Sequence, residues 1–314
     1  LARGIAATGL QSISATGTAG GLLRVDAAGT GASTINLTGI SGGGGTTTVI
    51  ADAVASTIGG SALDDSIGGS TLGDNIDGNG GNDTIAGNGG ADDLDGGAGN
   101  DVFLFLTNDV VAGEVINGGA DTDTIRLLGT TDFTNLTTAT ILTAGSVERI
   151  ELSAGTTATF VGSHLTGQAI SVNRVAAAGA ATTLDVDVVG TTAVDLSALT
   201  FTAAGGTAFA DIVDIDGDAV ANTIIGTSLA DAITGAAGAD VMTGGGAVDV
   251  FHFTTASTGI PAAPYIDKLA NNASPDAHSN FSHSVTLFVF LLPSATPPVV
   301  LLPLPYSPTK YCCD

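Results

Sequence analysis

The sequence predicts an all-β protein with parallel β-roll, or β-solenoid, blocks and an intervening β-rich region that is either a sandwich or a solenoid. Three observations predict it. A nine-residue unit with Gly, Asp and a large apolar residue at fixed positions recurs in two blocks. Segments rich in β-branched residues and punctuated by Gly fill the rest, and no window has a convincing amphipathic helical pattern. Repeats of this kind bury their apolar faces by stacking on one another.

The first block, residues 60–104, contains five nine-residue units that run without slippage from Gly60. Gly fills the first position of every unit. A Gly-rich hexapeptide can turn tightly, and the three residues after it form a short strand with the eighth side chain pointing inward. The sixth positions are Asp65, Asp74, Asp83, Asp92 and Asp101, and the eighth positions are Ile67, Ile76, Ile85, Leu94 and Phe103.

The second block begins at Gly217 and contains four units. Its sixth positions are Asn222, Asp231, Asp240 and Asp249. An isolated copy starts at Gly118 and has Asp123 and Ile125 at the corresponding positions. The blocks divide the chain into a β-rich segment (1–59), a first roll (60–104), a β-rich spacer (105–216), a second roll (217–253) and a tail (254–314).

The tail differs in composition from the rest of the chain. All nine prolines, both cysteines and both lysines follow Gly259, and no glycine does. Pro at this density cannot join a central sheet. We interpret residues 254–314 as a Pro-rich, non-globular tail, either out of frame with the preceding sequence or a natural Pro-rich anchor. Its apolar run, Val285–Leu292, is shorter than the roughly 20 residues of a membrane helix.

The charge balance excludes several kinds of partner. The formal net charge is −24, with 31 acidic and 7 basic residues. Nucleic acids and anionic membrane surfaces both require Lys/Arg patches, so neither is an expected partner. The composition instead favours cations.

The spacing of the repeats indicates which cation. Two repeats make one coil, so the turns of alternate repeats stack about 4.8 Å apart and their Asp residues form two columns. Carboxylates and backbone carbonyls in flexible loops are the oxygen ligands that Ca²⁺ selects, six to eight of them at about 2.3–2.6 Å. The Asp residues within each column repel one another until a metal ion binds, so metal binding and folding should be coupled.

The chain resembles the RTX, or hemolysin-type calcium-binding, family. Gly96–Leu104 matches the family pattern G-G-x-G-x-D-x-U-x at every position. The resemblance implies Ca²⁺ bound by the sixth-position Asp and by turn carbonyls, and export by type I secretion machinery. The metal-ligating residues expected on this basis are Asp65, Asp74, Gly78, Gly80, Asp83, Gly87, Gly89, Asp92, Gly96, Ala98, Asp101, Asp231, Gly235, Ala237, Asp240, Gly244, Gly246 and Asp249.

The sequence gives little reason to expect an enzyme. Gly39–Gly43 fits the G-x-S-x-G pattern of a nucleophile elbow, but Gly44, Gly45 and a strand-like segment follow it where a helix is needed. The zinc-protease motif HExxH is absent from the sequence. We therefore expect no catalytic residues.

The function expected is that of a secreted, bacterial calcium-binding protein that folds on Ca²⁺ outside the cell and has a structural or adhesive role. The Gly/Thr/Ala-rich spacer looks like those of bacterial surface-layer proteins and adhesins, which suggests cell-surface or matrix components as partners. The alternative is the carboxyl-terminal calcium and secretion module of a secreted hydrolase whose catalytic domain lies outside this sequence.

Overall fold

The computed structural model describes residues 3–6, 12–17, 23–27, 33–40, 47–51, 55–136, 146–175, 181–203, 212–252 and 268–270. Contacts divide the chain into Leu1–Ala277 and His278–Asp314, and the second unit lies outside the described residues. Apart from residues 268–270, so does the tail predicted for residues 254–314.

The regular secondary structure of the described residues consists of short strands and one helix of four residues, α1 (Gly162–Leu165). No helix among them is long and apolar enough to cross a membrane. The strands are β1 (Arg3–Ala6), β2 (Ser12–Gly17), β3 (Leu23–Ala27), β4 (Ser33–Ile40), β5 (Thr47–Ala51), β6 (Ser56–Gly59), β7 (Asp65–Gly68), β8 (Asn75–Asp77), β9 (Thr84–Ala86), β10 (Asp93–Ala98), β11 (Val102–Phe105), β12 (Val115–Ala120), β13 (Thr124–Leu127), β14 (Thr131–Asp132), β15 (Arg149–Leu152), β16 (Thr157–Val161), β17 (Ser171–Arg174), β18 (Thr183–Asp187), β19 (Ala193–Asp195), β20 (Thr200–Ala203), β21 (Ile212–Asp216), β22 (Thr223–Ile225), β23 (Asp231–Thr234), β24 (Val241–Thr243), β25 (Val250–His252) and β26 (Lys268–Ala270).

The strands form four sheets. Sheet A has the order β1-β3-β5-β7-β9-β11-β13-β15-β17-β20, and sheet B the order β12-β10-β8-β6-β4-β2. Sheet C has the order β14-β16-β18-β21-β23-β25, and sheet D the order β19-β22-β24-β26. Paired strands are parallel, and successive strands alternate between sheets, so the chain winds as a β-solenoid. The predicted fold class is confirmed, and the spacer is a solenoid rather than a sandwich.

The length of one coil distinguishes the blocks from the spacer. In the first block Asp65 and Asp83 occupy the same place on successive coils, 18 residues apart. In the spacer the coil grows, to 22 residues at Asp123 and to 29 residues at Thr202. The second block returns to 18 residues at Asp240. One coil is therefore two nine-residue repeats in both blocks and is longer between them.

The hydrophobic core is a set of ladders along the solenoid. On sheet A the eighth-position residues Ile67, Ile85 and Phe103 lie side by side in register and are at most 2% exposed. The ladder continues through Ile125 and Ile150 into the spacer. Within each strand buried and more exposed residues alternate, because successive side chains point to opposite faces. Because side chains alternate between the two faces of a strand, every second residue points into the coil, and these residues form the buried ladder.

Aromatic side chains fill the core where sheet B ends at β12 and sheet C begins at β14. The rings of Phe133 and Phe160 stack with centroids 4.6 Å apart, and Phe105 meets Phe133 edge-on at 5.8 Å. All three side chains are buried. These large rings add apolar burial to the core where the coils are longer than two repeats.

The turns of the Gly-rich repeats require left-handed backbone at two positions. The second positions Asn79 and Asn88 have φ of 72° and 68°, and the fourth positions Gly81 and Gly90 have φ of 107° and 116°. In the second block Ala236 occupies a second position with φ of 60°. The left-handed region costs a residue with a Cβ atom about 1–2 kcal/mol, so Ala236 is strained where its counterparts are Gly or Asn.

Replacement of Ala236 by Gly should stabilise the second block by about 1 kcal/mol, because Gly adopts φ > 0 without the steric cost. The control is Ala232→Gly in β23, where extended backbone favours Ala and the change should destabilise by about 0.5–1 kcal/mol. Urea unfolding of the full chain at fixed calcium measures both. Equal destabilisation by the two substitutions would contradict the left-handed turn.

Candidate metal-binding site

The sixth-position residues of the first block lie in two columns, one on each side of the solenoid. In both, the backbone N–H of one residue donates to a side-chain oxygen of the residue on the next coil. Column 1 is Asp65, Asp83, Asp101, Asp123 and Glu148, with N···O distances of 2.7, 2.7, 2.8 and 2.9 Å. Column 2 is Ser56, Asp74, Asp92 and Glu114, with distances of 2.6, 2.8 and 3.3 Å.

Three acidic members of these columns are not among the residues predicted to bind metal: Glu114, Asp123 and Glu148. Asp123 was recognised as part of an isolated repeat, but the two glutamates lie outside the nine-residue frame. A signal for them was present, because each precedes a buried Ile by two residues, as the sixth position precedes the eighth in every repeat. Coils of 22 and 25 residues hide that spacing.

Within the part of the chain that the structure describes, one oxygen of several column carboxylates has no hydrogen-bond partner. These atoms are Oδ2 of Asp83, Asp92, Asp101 and Asp123 and Oε1 of Glu114. Their residues are at most 1% exposed. A buried polar atom without a partner is costly and rare in native proteins, so each of these oxygens is a position where a cation would supply the missing contact.

Backbone carbonyls converge on the same atoms. A Cβ atom added to Gly78 would overlap both Asp83 Oδ2 and the carbonyl oxygen of Gly96 on the next coil. The same pair of contacts recurs at Gly96, with Asp101 Oδ2 and the carbonyl oxygen of Gly118. Only Gly fits at the first position, because carboxylate and carbonyl oxygens crowd its Cα atom from two coils.

The third positions hold neighbouring turns together. The N–H of Ala98 donates to the carbonyl of Asn79 at 2.9 Å, and the Ala98 carbonyl accepts from Gly81 at 2.9 Å. The N–H groups of Gly80, Gly89, Ala237 and Gly246 likewise donate to carbonyls of the preceding coil. Metal ligation by these residues, and by Gly87, Gly235 and Gly244 at first positions, stays a prediction.

Burial, reinforced by repulsion between neighbouring charges, raises the pKa values of several column carboxyl groups. Burial, opposed by the hydrogen bond from Asp65 and reinforced by the charges of Asp65 and Asp101, raises the pKa of Asp83 to about 8. Burial and the charge of Asp92 raise the pKa of Glu114 to about 8. Burial is also the main reason that the pKa of Asp123 rises to about 7. Without a cation, the raised pKa values favour the protonated form of Asp83 and Glu114 at neutral pH.

In the opening turns of each block, unlike the later turns, the second residue of the turn donates a hydrogen bond to the sixth-position side chain. In the first repeat the N–H of Ser61 donates to Asp65 Oδ2 at 2.6 Å and its hydroxyl to Asp65 Oδ1 at 3.1 Å. The N–H of Ser70 donates to Asp74 Oδ2 at 2.5 Å. These two Asp residues were predicted as metal ligands, and their carboxylates are hydrogen-bonded by their own turns.

The second block repeats this arrangement. Thr227 donates from its N–H to Asp231 Oδ2 at 2.6 Å and from its hydroxyl to Asp231 Oδ1 at 2.8 Å. Two columns run here as well, since the N–H of Asn222 donates to Asp240 Oδ1 at 2.8 Å and the N–H of Asp231 to Asp249 Oδ1 at 3.1 Å. The sequence therefore places metal-ligand candidates of the same geometry in both blocks.

A further acidic group lies on sheet C, outside the columns. Carboxylate oxygens of Asp185, Asp187 and Asp216 lie within 4.8 Å of one another. Asp187 and Asp216 are partners in the register of β18 and β21, although a whole coil of the chain separates them. The group is partly exposed, and clusters of this kind are common on acidic surfaces without a metal.

Comparison with known families agrees with the geometry. The chain matches the RTX calcium-binding nonapeptide repeat in four copies, over residues 68–103 and 216–251. The chain carries RTX calcium-binding repeats. No curated protein and no solved structure matches the chain.

The donor set around the RTX turns fits Ca²⁺. It consists of carboxylate and carbonyl oxygens, the hard ligands that this ion takes, and it includes buried oxygens that lack another partner. In column 1, Asp83, Asp101 and Asp123 with the carbonyls of Gly96, Gly118 and Ser146 would hold the ions. Bound Ca²⁺ would supply the positive charge that the stacked carboxylates lack.

In calcium chelator, the fraction of the RTX coils that is folded should be larger at pH 6 than at pH 8. The pKa values of Asp83 and Asp123 in the folded state are raised to about 8 and about 7, whereas an Asp in the unfolded state has a pKa of about 3.9. The folded state therefore binds more protons than the unfolded state, so acidification favours folding. Saturating Ca²⁺ should reverse the trend, because protons compete with the ion. Circular dichroism at both pH values checks the sign, and less strand in chelator at pH 6 than at pH 8 would contradict it.

Proposed function

We propose that this protein is a secreted calcium-binding protein whose RTX coils fold when Ca²⁺ binds outside the cell and that it serves a structural or adhesive role there. The observation that carries the proposal is the set of buried carboxylate oxygens without partners in the stacked turns. A buried carboxylate column is unfavourable without a counter-charge, so the ion contributes directly to folding.

Calcium-dependent folding would give the RTX coils different states in the cytosol and outside the cell. Extracellular modules bind Ca²⁺ with dissociation constants of about 10⁻⁴–10⁻³ M, far above cytosolic calcium. RTX coils of this affinity would stay unfolded in the cytosol and fold after export. An unfolded chain is what a secretion channel can pass, which supports the type I route that the RTX resemblance implies.

A structural or binding role agrees with the architecture better than a catalytic one. RTX rolls are typically structural or binding modules, and in this chain the solenoid continues through the spacer by sharing sheets A and C with the blocks. A solenoid that carries many acidic residues offers a repeating acidic surface to cell-surface or matrix components. Export machinery and these surface components are therefore the proposed partners, in addition to calcium.

Removal of calcium should unfold the blocks. Circular dichroism of the full chain should show less strand in chelator than at about 1 mM Ca²⁺, a concentration in the range of extracellular modules. Magnesium at the same concentration is the control and should restore little strand, because it demands near-octahedral geometry and keeps its waters. Spectra that are the same in chelator and in calcium would end the proposal.

The predicted ligands should differ in importance. Asp101→Ala should weaken calcium binding by about tenfold or more, since it removes a partnerless carboxylate oxygen and the acceptor for the Asp83 N–H. Asp65→Ala should weaken it less, because the Asp65 carboxylate is hydrogen-bonded by Ser61 in its own turn. Isothermal titration calorimetry compares the two variants, and the reverse order would refute this assignment of the columns.

A further inference from the structure

Two successive RTX turns have the dipeptide Asn-Gly at their second and third positions. The dipeptides are Asn79–Gly80 and Asn88–Gly89. The backbone of both Asn residues is left-handed, with φ of 72° and 68°, and Asn adopts this region more readily than most residues that have a Cβ atom. The backbone therefore explains the Asn of each dipeptide, but it does not explain the Gly.

Packing does not require Gly at the third position either. A Cβ atom added to Gly80 would lie 3.7 Å from the carbonyl oxygen of Ala98, and one added to Gly89 would lie 3.7 Å from the nearest atom of Thr71. Both distances are ordinary van der Waals contacts. Ala98 and Ala237 occupy the third position of other repeats. Ala would thus fit after either Asn without disturbing the stacked turns.

An Asn that precedes Gly can lose its side-chain amide without an enzyme. The backbone nitrogen of the Gly attacks the Cγ atom of the Asn, so that an N–Cγ bond forms and the Cγ–Nδ2 bond breaks. Ammonia leaves with the proton of the Gly N–H, and water then opens the resulting succinimide ring at either ring carbonyl to give Asp or isoaspartate. Gly favours the ring closure because it has no Cβ atom to hinder the approach.

In the folded turns both reacting groups are held by hydrogen bonds to the preceding coil. The N–H of Gly80 donates to the carbonyl of Ser61 at 3.2 Å, and the side-chain amide of Asn79 donates to the carbonyl of Gly60 at 3.3 Å. The same two bonds recur in the next repeat, at 3.3 and 2.9 Å. Ring closure would require both bonds of a turn to break, so the stacked coils protect the two Asn residues.

We infer that Asn79 and Asn88 are sites of spontaneous deamidation and that calcium controls this modification by folding the turns around them. The inference rests on the proposed calcium-dependent folding and adds a chemical consequence to it. RTX coils that stay without calcium expose both dipeptides to ring closure. The product at Asn79 replaces an amide that donates to Gly60 by a carboxylate that cannot donate, and isoaspartate also lengthens the main chain of the turn by one methylene. Chains that have reacted should therefore fold less well when calcium arrives.

The test incubates the full chain in mildly alkaline buffer, either with chelator or with about 1 mM Ca²⁺, in the range of extracellular modules. Peptide mass spectrometry measures the mass gained at each Asn when OH replaces NH₂. Asn75 is the internal control, because the β-branched Ile76 that follows it hinders ring closure. The matched variant combines Gly80→Ala and Gly89→Ala, which should keep calcium-induced strand by circular dichroism and lose the mass gain in chelator.

Deamidation of Asn79 and Asn88 should be at least about tenfold slower in calcium than in chelator, because reaction through an opened state falls with the population of that state. Wild type held in chelator should also regain less strand on addition of calcium than the double variant held equally long. Equal rates in the two buffers, in a chain whose strand content responds to calcium, would overturn this inference and leave the proposed function standing. Strand content that does not respond to calcium would overturn the proposed function, and this inference with it.

Discussion

The repulsion between stacked, buried carboxylates is the constraint on which the repeat blocks depend. A coil of two repeats brings each sixth-position residue back to the strand spacing of about 4.8 Å. The register that places Ile67 beside Ile85 also places Asp65 beside Asp83. The chain cannot keep its hydrophobic ladder and separate these charges, because one register sets both. A divalent cation resolves the conflict, since it turns the same oxygens into ligands.

Each block begins with two turns whose chemistry differs from that of the turns that follow. Their second residue is polar and its N–H donates to the sixth-position side chain, while their fourth residue is apolar; these fourth residues are Leu63, Leu72, Val220 and Leu229. The later turns have left-handed backbone at the second and fourth positions, and in the first block their Asp residues keep an oxygen free. Because one coil contains two repeats, two opening turns supply one for each column. In each column, the first sixth-position residue of a block therefore has its side chain hydrogen-bonded by the backbone of its own turn, so it needs a cation least.

The sequence was sufficient to predict the roll, its inward ladder and its two columns, because all three follow from a nine-residue period with Asp at the sixth position and an apolar residue at the eighth. It was not sufficient for the spacer. The coils there lengthen from 22 to 29 residues and have no fixed period. The solenoid in the spacer, and Glu114 and Glu148 within the columns, could therefore not be separated from ordinary strand and turn sequence. The proximity of Asp187 and Asp216 depends on the same register, across an interval that no local pattern encodes.

The residues at the position of column 1 change from acidic to apolar along the solenoid, so the proposed dependence on calcium would apply to some coils and not to others. The backbone bond that links Asp101 to Thr124 links Glu148 to Ser171 and Ile170 to Thr200 on later coils. Ile170 and Leu199 thus occupy the place of the carboxylates, and each is 2% exposed. On sheet C the position changes from apolar to acidic along the chain, because Leu184 and Val213 lie in register ahead of Asp231. In the coils between the blocks, apolar side chains occupy the position that acidic side chains occupy in the RTX coils. Apolar burial therefore stabilises the coils between the blocks, whereas bound calcium would stabilise the coils that carry the acidic residues.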